Sequence, residues 1–177
     1  MEIENLYLNR QSCRNFSGEK VNEETLKKAI SLANLSPSAC NAQPYYITVV
    51  TGESVSKIAL ATQRLGVNKF TDKASCFVVV SEGKSNTLAK FGERLKGLDF
   101  KQIDIGIWTA HFILSAKELG LDTCILGWFT EDKIKEICNL DEDKKVRLVI
   151  AVGVADKSDA LRPKKRKEFN QIVNFID

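Results

Sequence analysis

The run Cys76-Phe77-Val78-Val79-Val80 is apolar at every position and of strand length, and a strand with two apolar faces needs cover on both of them. The chain therefore has to place helices above and below a sheet. Further strands are predicted at Tyr45 to Val50, from its β-branched and aromatic content, at Thr123 to Leu126, and at Val146 to Val152, which stops at Gly153. The strongest helix runs from about Ile103 to Leu119 and ends at Gly120. It is apolar along two lines, Ile103, Ile107, Ala110, Leu114 and Ile105, Phe112, Ala116, Leu119, which puts it at the centre of the fold or against a second subunit. Asn22 is placed to cap a helix that carries Leu26, Ala29, Ile30 and Ala33 and ends near Leu35, where Ser36, Pro37 and Ser38 stop it. Val55, Ile58, Ala59 and Leu65 suggest another helix, and Thr130 opens a short one with Ile134 and Ile137. Ser81 to Lys101 is polar and weakly patterned, as in a surface loop or a short mobile helix. With 177 residues and neither linker nor repeat, the whole chain 1–177 reads as a single domain.

Charge is concentrated. Arg162, Lys164, Lys165, Arg166 and Lys167 are five of the 26 basic residues, and without them 21 face 23 acids, so the net charge of +3 does not describe a uniformly basic, nucleic-acid-binding surface. Arg10, Ser12 and Arg14 near the start, and Pro37, Ser38, Asn41, Gln43 and Pro44 after the first long helix, join that basic run as parts of one candidate anion pocket. A guanidinium offers a fixed fork of donors that matches phosphate oxygens two at a time. Arg10 and Arg14 face the same way if Tyr7 to Arg14 has helical turns; taken alone, the segment reads equally well as a solvated turn with two surface arginines. Pro163 stiffens the later run so that Lys164 and Arg166 can be offered to one anion, the alternatives being a solvated charge run or a nuclear-localisation or nucleic-acid tail.

Five cysteines without C-x-x-C spacing suggest neither a disulfide framework nor a zinc or iron–sulfur site, and reduced thiols fit a cytoplasmic protein. Neither a signal-peptide core at the start nor a membrane-length apolar run is evident. No acid–base triad stands out, and the lone His111 reads as a packed or hydrogen-bonded structural residue.

Four pieces in order, Arg10-Gln11-Ser12-Cys13-Arg14-Asn15-Phe16, Ser36-Pro37-Ser38-Ala39-Cys40-Asn41-Ala42-Gln43-Pro44-Tyr45, Gly120-Leu121-Asp122-Thr123 leading to Gly127-Trp128-Phe129, and Leu161-Arg162-Pro163-Lys164-Lys165-Arg166, resemble the signature of the nitroreductase family of FMN enzymes over nearly the entire chain. The resemblance implies an α+β, three-layer α/β/α fold with a central mixed, mostly antiparallel sheet, and a homodimer with FMN in each of two interface clefts. It implies that Arg10, Ser12 and Arg14 contact the FMN phosphate, ribityl chain and pyrimidine edge, and that Lys164 and Arg166 complete the phosphate grip. Pro37, Ser38 and Ala39, with Asn41 and Gln43, are expected to reach the flavin from the other subunit. Leu126 and Gly127 are expected beside the ring, the Gly127 N–H toward flavin N5, and Asn68 and Lys69 near further polar contacts. No catalytic side chain and no metal are implied, because the flavin carries the chemistry. Tyr45 stands where Trp is frequent in the family, Leu126 where some members have an acid, and the chain is short for the family.

The implied activity is ping-pong transfer of electrons from NADH or NADPH through FMN to a nitroaromatic, quinone or flavin acceptor. The alternatives are a flavin-binding protein without nicotinamide turnover, such as a carrier, sensor or flavin-modifying relative, and a basic-tailed nucleic-acid-binding module.

Overall fold

The computed structural model describes residues 2–176. Its strands are β1 (Tyr45–Val50), β2 (Cys76–Glu82), β3 (Asp122–Leu126) and β4 (Val146–Gly153), joined in one antiparallel sheet of order β1-β2-β4-β3. Its longer helices are α1 (Ile3–Asn9), α2 (Glu23–Ala33), α3 (Ser54–Thr62), α4 (Thr87–Lys96), α5 (Phe100–Glu118) and α6 (Glu131–Cys138). The two central strands, β2 and β4, carry the long apolar runs, Cys76 to Val80 and Leu148 to Val152. Alternation of side chains along a strand divides their residues between two cores. Phe77, Val79, Val149 and Ala151 meet Ile58 and Ala59 of α3 and Ile134 of α6 on one face, while Val78, Val80, Ile150 and Val152 meet Leu26 and Ala29 of α2 and Ile105, Trp108 and Phe112 of α5 on the other. The result is the three-layer α+β arrangement expected, its one parallel feature among the described residues being the isolated pairing of Ser12 with Thr123.

Asn22 caps α2 as anticipated, its side chain accepting from the Glu24 and Thr25 N–H groups at 2.8 and 3.2 Å. The two apolar lines of α5 separate cleanly. Ile105, Phe112 and Ala116 are buried, whereas Ile103, Gly106 and Ala110 stay exposed on the opposite side, and the helix begins at Phe100, behind an Asp99 cap.

Two expectations are corrected, and two that left alternatives open are settled. Helical turns do not continue to Arg14: α1 stops at Asn9, and the chain then runs extended, with Cys13 N–H donating to Thr123 O at 2.9 Å and Phe16 paired with Ala155. Arg10, Ser12 and Arg14 therefore share a side by the two-residue period of an extended chain, with Cys13 turned into the core between them. Leu65 is outside α3, exposed in a left-handed turn. Of the loop or short helix expected after β2, the structure has the helix, α4, started by Asn86, whose side chain accepts from Ala89 N–H at 2.9 Å; its pattern is weak in sequence because Leu88, Phe91 and Leu95 face outward while Ala89 is buried. Of the two expectations for His111, packed or hydrogen-bonded, the structure has the second: the ring is exposed, its Nδ1 3.0 Å from Ile107 O in its own helix. Among the described residues, no helix is long and apolar enough to cross a membrane, and no cluster of metal-ligating side chains occurs.

Candidate functional site

The site begins where the two ends of the chain are stitched together. Gln11 reaches across about 150 positions of sequence: its amide lies 3.3 Å from both Asp159 Oδ2 and Ala160 O, and its own oxygen accepts from Arg162 N–H at 3.0 Å. Arg162 then donates to Ser12 O and pairs with Asp159 at 2.8 Å, and Asn15 donates to Ser158 Oγ at 3.0 Å. Lys164 Nζ donates to Arg10 O. The basic run is thus folded against the first strand-like segment and is not a loose tail.

This arrangement gathers positive charge beyond what the chain neutralises. Arg162 has Asp159, and Lys117 has Asp122 at 2.8 Å. Among the described residues, no carboxylate lies within ion-pair distance of Arg10, Arg14, Lys164 or Arg166. The Lys164 ammonium is held below the usual lysine range, first by partial burial and then by the neighbouring Arg10, Arg166, Arg162 and Lys117. The cost of bringing like charges together is offset once an anion such as phosphate joins them. On the same side, burial pushes the Cys124 thiol up while Arg14 and Arg162 pull it down, which puts both guanidinium groups near β3. The Cys13 thiol, under the cluster, is pushed up to about 12, chiefly by burial, and is suited to packing rather than reaction.

Leu126, buried, and Gly127, exposed, end β3 beside this corner of the sheet. A Cβ at Gly127 would meet nothing within 4 Å, and its φ is not in the left-handed region, so the fold itself does not ask for glycine there.

The second group lies elsewhere. Ser38, Ala39, Cys40, Asn41 and Gln43 form a tight loop that leads through Pro44 into β1, with Cys40, Asn41 and Gln43 at φ values of 51°, 49° and 45°. Ser38 Oγ accepts from Gln43 N–H at 3.0 Å, and Gln43 donates to Asn41 Oδ1 at 3.0 Å. Pro37, Cys40, Asn41 and Gln43 are exposed. The loop sits at the β1 edge of the sheet, and Ser12 pairs at the β3 edge. The strand register also puts Tyr45 and Thr123 at opposite ends, since Thr123 aligns through Val152 with Cys76, next to Val50's partner Phe77, whereas Tyr45 aligns with Glu82. Three strand spacings across and six residues along give a diagonal of roughly 25 Å. Within one chain, then, the cations and the loop occupy opposite corners.

Asn68, in a left-handed conformation, spends its amide on Thr62 O at 3.1 Å. It belongs to the α3 turn, near the cation corner through the Phe70–Phe16 ring contact at 6.5 Å. Gln11 and Asp159, which hold the cluster together, were not singled out from sequence; the only signal is that Gln11 lies inside the first motif, and its partners are visible only once the ends meet.

Comparison with known proteins places this geometry. The chain matches the nitroreductase family over residues 7–66 and 53–154. The Bacillus subtilis protein MhqN, provisionally named an NAD(P)H nitroreductase, is 29% identical over 99% of each chain. An oxygen-insensitive NADPH nitroreductase of Helicobacter acinonychis is 26% identical over 94% of this chain and 93% of its own. Among solved structures, a nitroreductase-family protein of Clostridium novyi superposes with a TM-score of 0.76 at 25% identity, covering 89% of this chain and 87% of its own. An Exiguobacterium sibiricum protein solved in complex with FMN superposes with a TM-score of 0.83 at 19% identity over 99% of this chain and 98% of its own, a likeness of fold. The antiparallel sheet between two helical layers, the stitched termini and a match spanning most of the sequence lead to one assignment: the chain belongs to the nitroreductase family.

Proposed function

We propose that this chain is an FMN-dependent oxidoreductase that works as a homodimer, taking electrons from NADH or NADPH and delivering them to a nitroaromatic, quinone or flavin. The observation that carries the reading is the cluster of Arg10, Arg14, Lys164 and Arg166, brought together without acidic partners among the described residues. FMN held by Arg10, Arg14, Lys164 and Arg166 would supply the redox chemistry, hydride acceptance from the nicotinamide and electron delivery to the second substrate in a ping-pong order.

The residues present fit that group. Arg10, Lys164 and Arg166 hold the phosphate, Ser12 lies along the ribityl chain, and Arg14 favours negative charge at the pyrimidine edge. Gly127, open to its surroundings with no steric need of its own, lets the ring lie against the β3 end beside Leu126. The diagonal separation of the cations from the Ser38–Gln43 loop supports a dimer in which the partner's loop closes the cleft. The exposed Ile103, Gly106 and Ala110 line of α5 is the apolar surface such a partner would cover. Asn68 is retained as a polar neighbour on the α3 side. The unpaired state of all five cysteines agrees with a reducing cytoplasm.

The deciding experiment is the visible spectrum of the purified protein titrated with FMN, followed by anaerobic addition of NADH or NADPH. Flavin uptake and bleaching support the reading. A protein that takes up no FMN overturns it, and uptake without bleaching leaves the carrier or sensor alternative. A pH dependence follows from Lys164. Its ammonium is depressed in the free protein, so the charge that meets the phosphate is lost at lower pH than for an ordinary lysine. FMN affinity is expected to fall as pH rises into the alkaline range, and Lys164→Arg, which stays charged, to flatten that fall; an equal slope in the variant removes Lys164 from the grip.

A further inference from the structure

We propose that Asp104 is a positioning residue for the cofactor loop: its carboxylate, on α5, catches the backbone N–H of Ala39 and fixes the left-handed path of Cys40, Asn41 and Gln43. This deepens the FMN reading and rests on it for its functional consequence.

Asp104 is 2% exposed. Both of its oxygens lie within reach of one donor, Ala39 N–H, at 3.1 and 3.2 Å, and among the described residues no cation is within ion-pair distance of it. A buried carboxylate without a counter-ion is costly unless it makes a contact that matters. One helical turn later, Trp108 Nε1 donates to Asn34 Oδ1 at 2.8 Å, and Trp108 is itself locked by a stack on Phe112 with ring centroids 5.3 Å apart. Two residues at i and i+4 on one helix thus pin the start and the middle of the segment between α2 and β1. What lies beyond the second pin is a cluster of three non-glycine residues at positive φ, a state that persists only when surroundings over-determine it. The loop's other bonds are mostly internal, Asn41 N–H to Ser38 O and Ala42 N–H to Ala39 O, each at 3.0 Å, and Gln43 N–H to Ser38 Oγ, with one from outside, the Asn86 amide donating to Cys40 O at 3.0 Å. Those bonds keep its shape, but Asp104 ties that shape to the helix that carries the proposed dimer surface. The same helix would thereby set where the loop stands relative to the partner's cation cluster.

The test uses the full-length protein, first without flavin. In Asp104→Ala, amide exchange at Ala39, Asn41, Ala42 and Gln43 is expected to accelerate at least tenfold, while the conservative Asp104→Asn, which keeps an acceptor, stays near wild type. Ala39→Pro removes the donor at the first position of a 3₁₀ turn, where proline fits after the extended Ser38, and should accelerate exchange at Asn41 to Gln43 alike. FMN affinity should then fall about tenfold in Asp104→Ala and Ala39→Pro, be kept within about threefold in Asp104→Asn, and show no further loss in the double variant. Unchanged exchange at these amides in Asp104→Ala, or in Ala39→Pro should the former not fold, overturns the proposal. If exchange accelerates but affinity does not move, the anchoring holds and the role toward the cofactor is refuted. A wild-type protein that binds no FMN instead sinks the flavin reading, a result the exchange data do not share.

Discussion

Lys164→Glu is expected to weaken FMN binding on the order of a thousandfold while leaving the thermal stability of the flavin-free protein unchanged or slightly higher. The first half of that expectation is the loss of a charge-assisted hydrogen bond to phosphate, worth about 1.5–3 kcal/mol, to which an anion facing the phosphate adds repulsion of similar size. Together about 4 kcal/mol corresponds to roughly a thousandfold. The second half follows from the direction of the Lys164 shift. Burial and the neighbouring Arg10, Arg166, Arg162 and Lys117 already disfavour a positive charge at this place in the free protein. A carboxylate there relieves the crowding, against the loss of one half-exposed hydrogen bond to Arg10 O. A cluster built to hold the fold together would respond in the opposite way, with a lower Tm. Fluorescence titration of FMN and a melting curve of the apoprotein decide the matter: affinity within threefold of wild type, or a melting point lowered by more than about 5 °C, would sink the assignment of these cations to a ligand.

The layers were legible in the sequence because both cores are written into single strands. Cys76 to Val80 is apolar at every position, and that pattern has few solutions besides a strand between two helical layers. Asn22 was legible for a local reason, since a cap depends on its nearest neighbours alone. Residues whose roles depend on distant partners were hidden. Gln11 is an ordinary polar residue until Asp159, Ala160 and Arg162 come alongside, and Asp104 looks like one more charge on a helix until Ala39 is found above it. The shared direction of Arg10 and Arg14 was anticipated through the wrong period, because a four-residue spacing suits a helix and an even spacing also suits an extended chain. Pairing with Thr123, far away in sequence, chose the second. Leu88, Phe91 and Leu95 show the reverse case, a helical period whose apolar side meets no core among the described residues.

Gly127→Val is the variant expected to separate fold from function most sharply: a protein as stable as wild type, within about 0.5 kcal/mol, that has lost flavin reduction by NAD(P)H at least a hundredfold. Glycines in this chain are present for different reasons, and the geometry tells them apart. At Gly153 a Cβ would come 2.8 Å from Phe16 Cδ1, and at Gly83 it would come 2.8 Å from Tyr45 O, so alanine at either place forces the core or a backbone strand to move. At Gly127 nothing of the same chain lies within 4 Å of the added carbon, and no positive φ is needed. A β-branched residue just past a strand meets no local objection. Any requirement for glycine at this position therefore comes from something that lies against the strand end from outside and not from the fold of this chain. In the proposed assembly that is the flavin ring, approached closely by the Gly127 N–H; a valine side chain would hold the ring off by more than the about 1 Å that already costs a hundredfold in a well-aligned transfer. Gly127→Ala should fall between the two. Stopped-flow reduction by NADH and NADPH, read beside the melting curve, tests both halves, and a Gly127→Val protein that reduces at the wild-type rate would place the ring elsewhere.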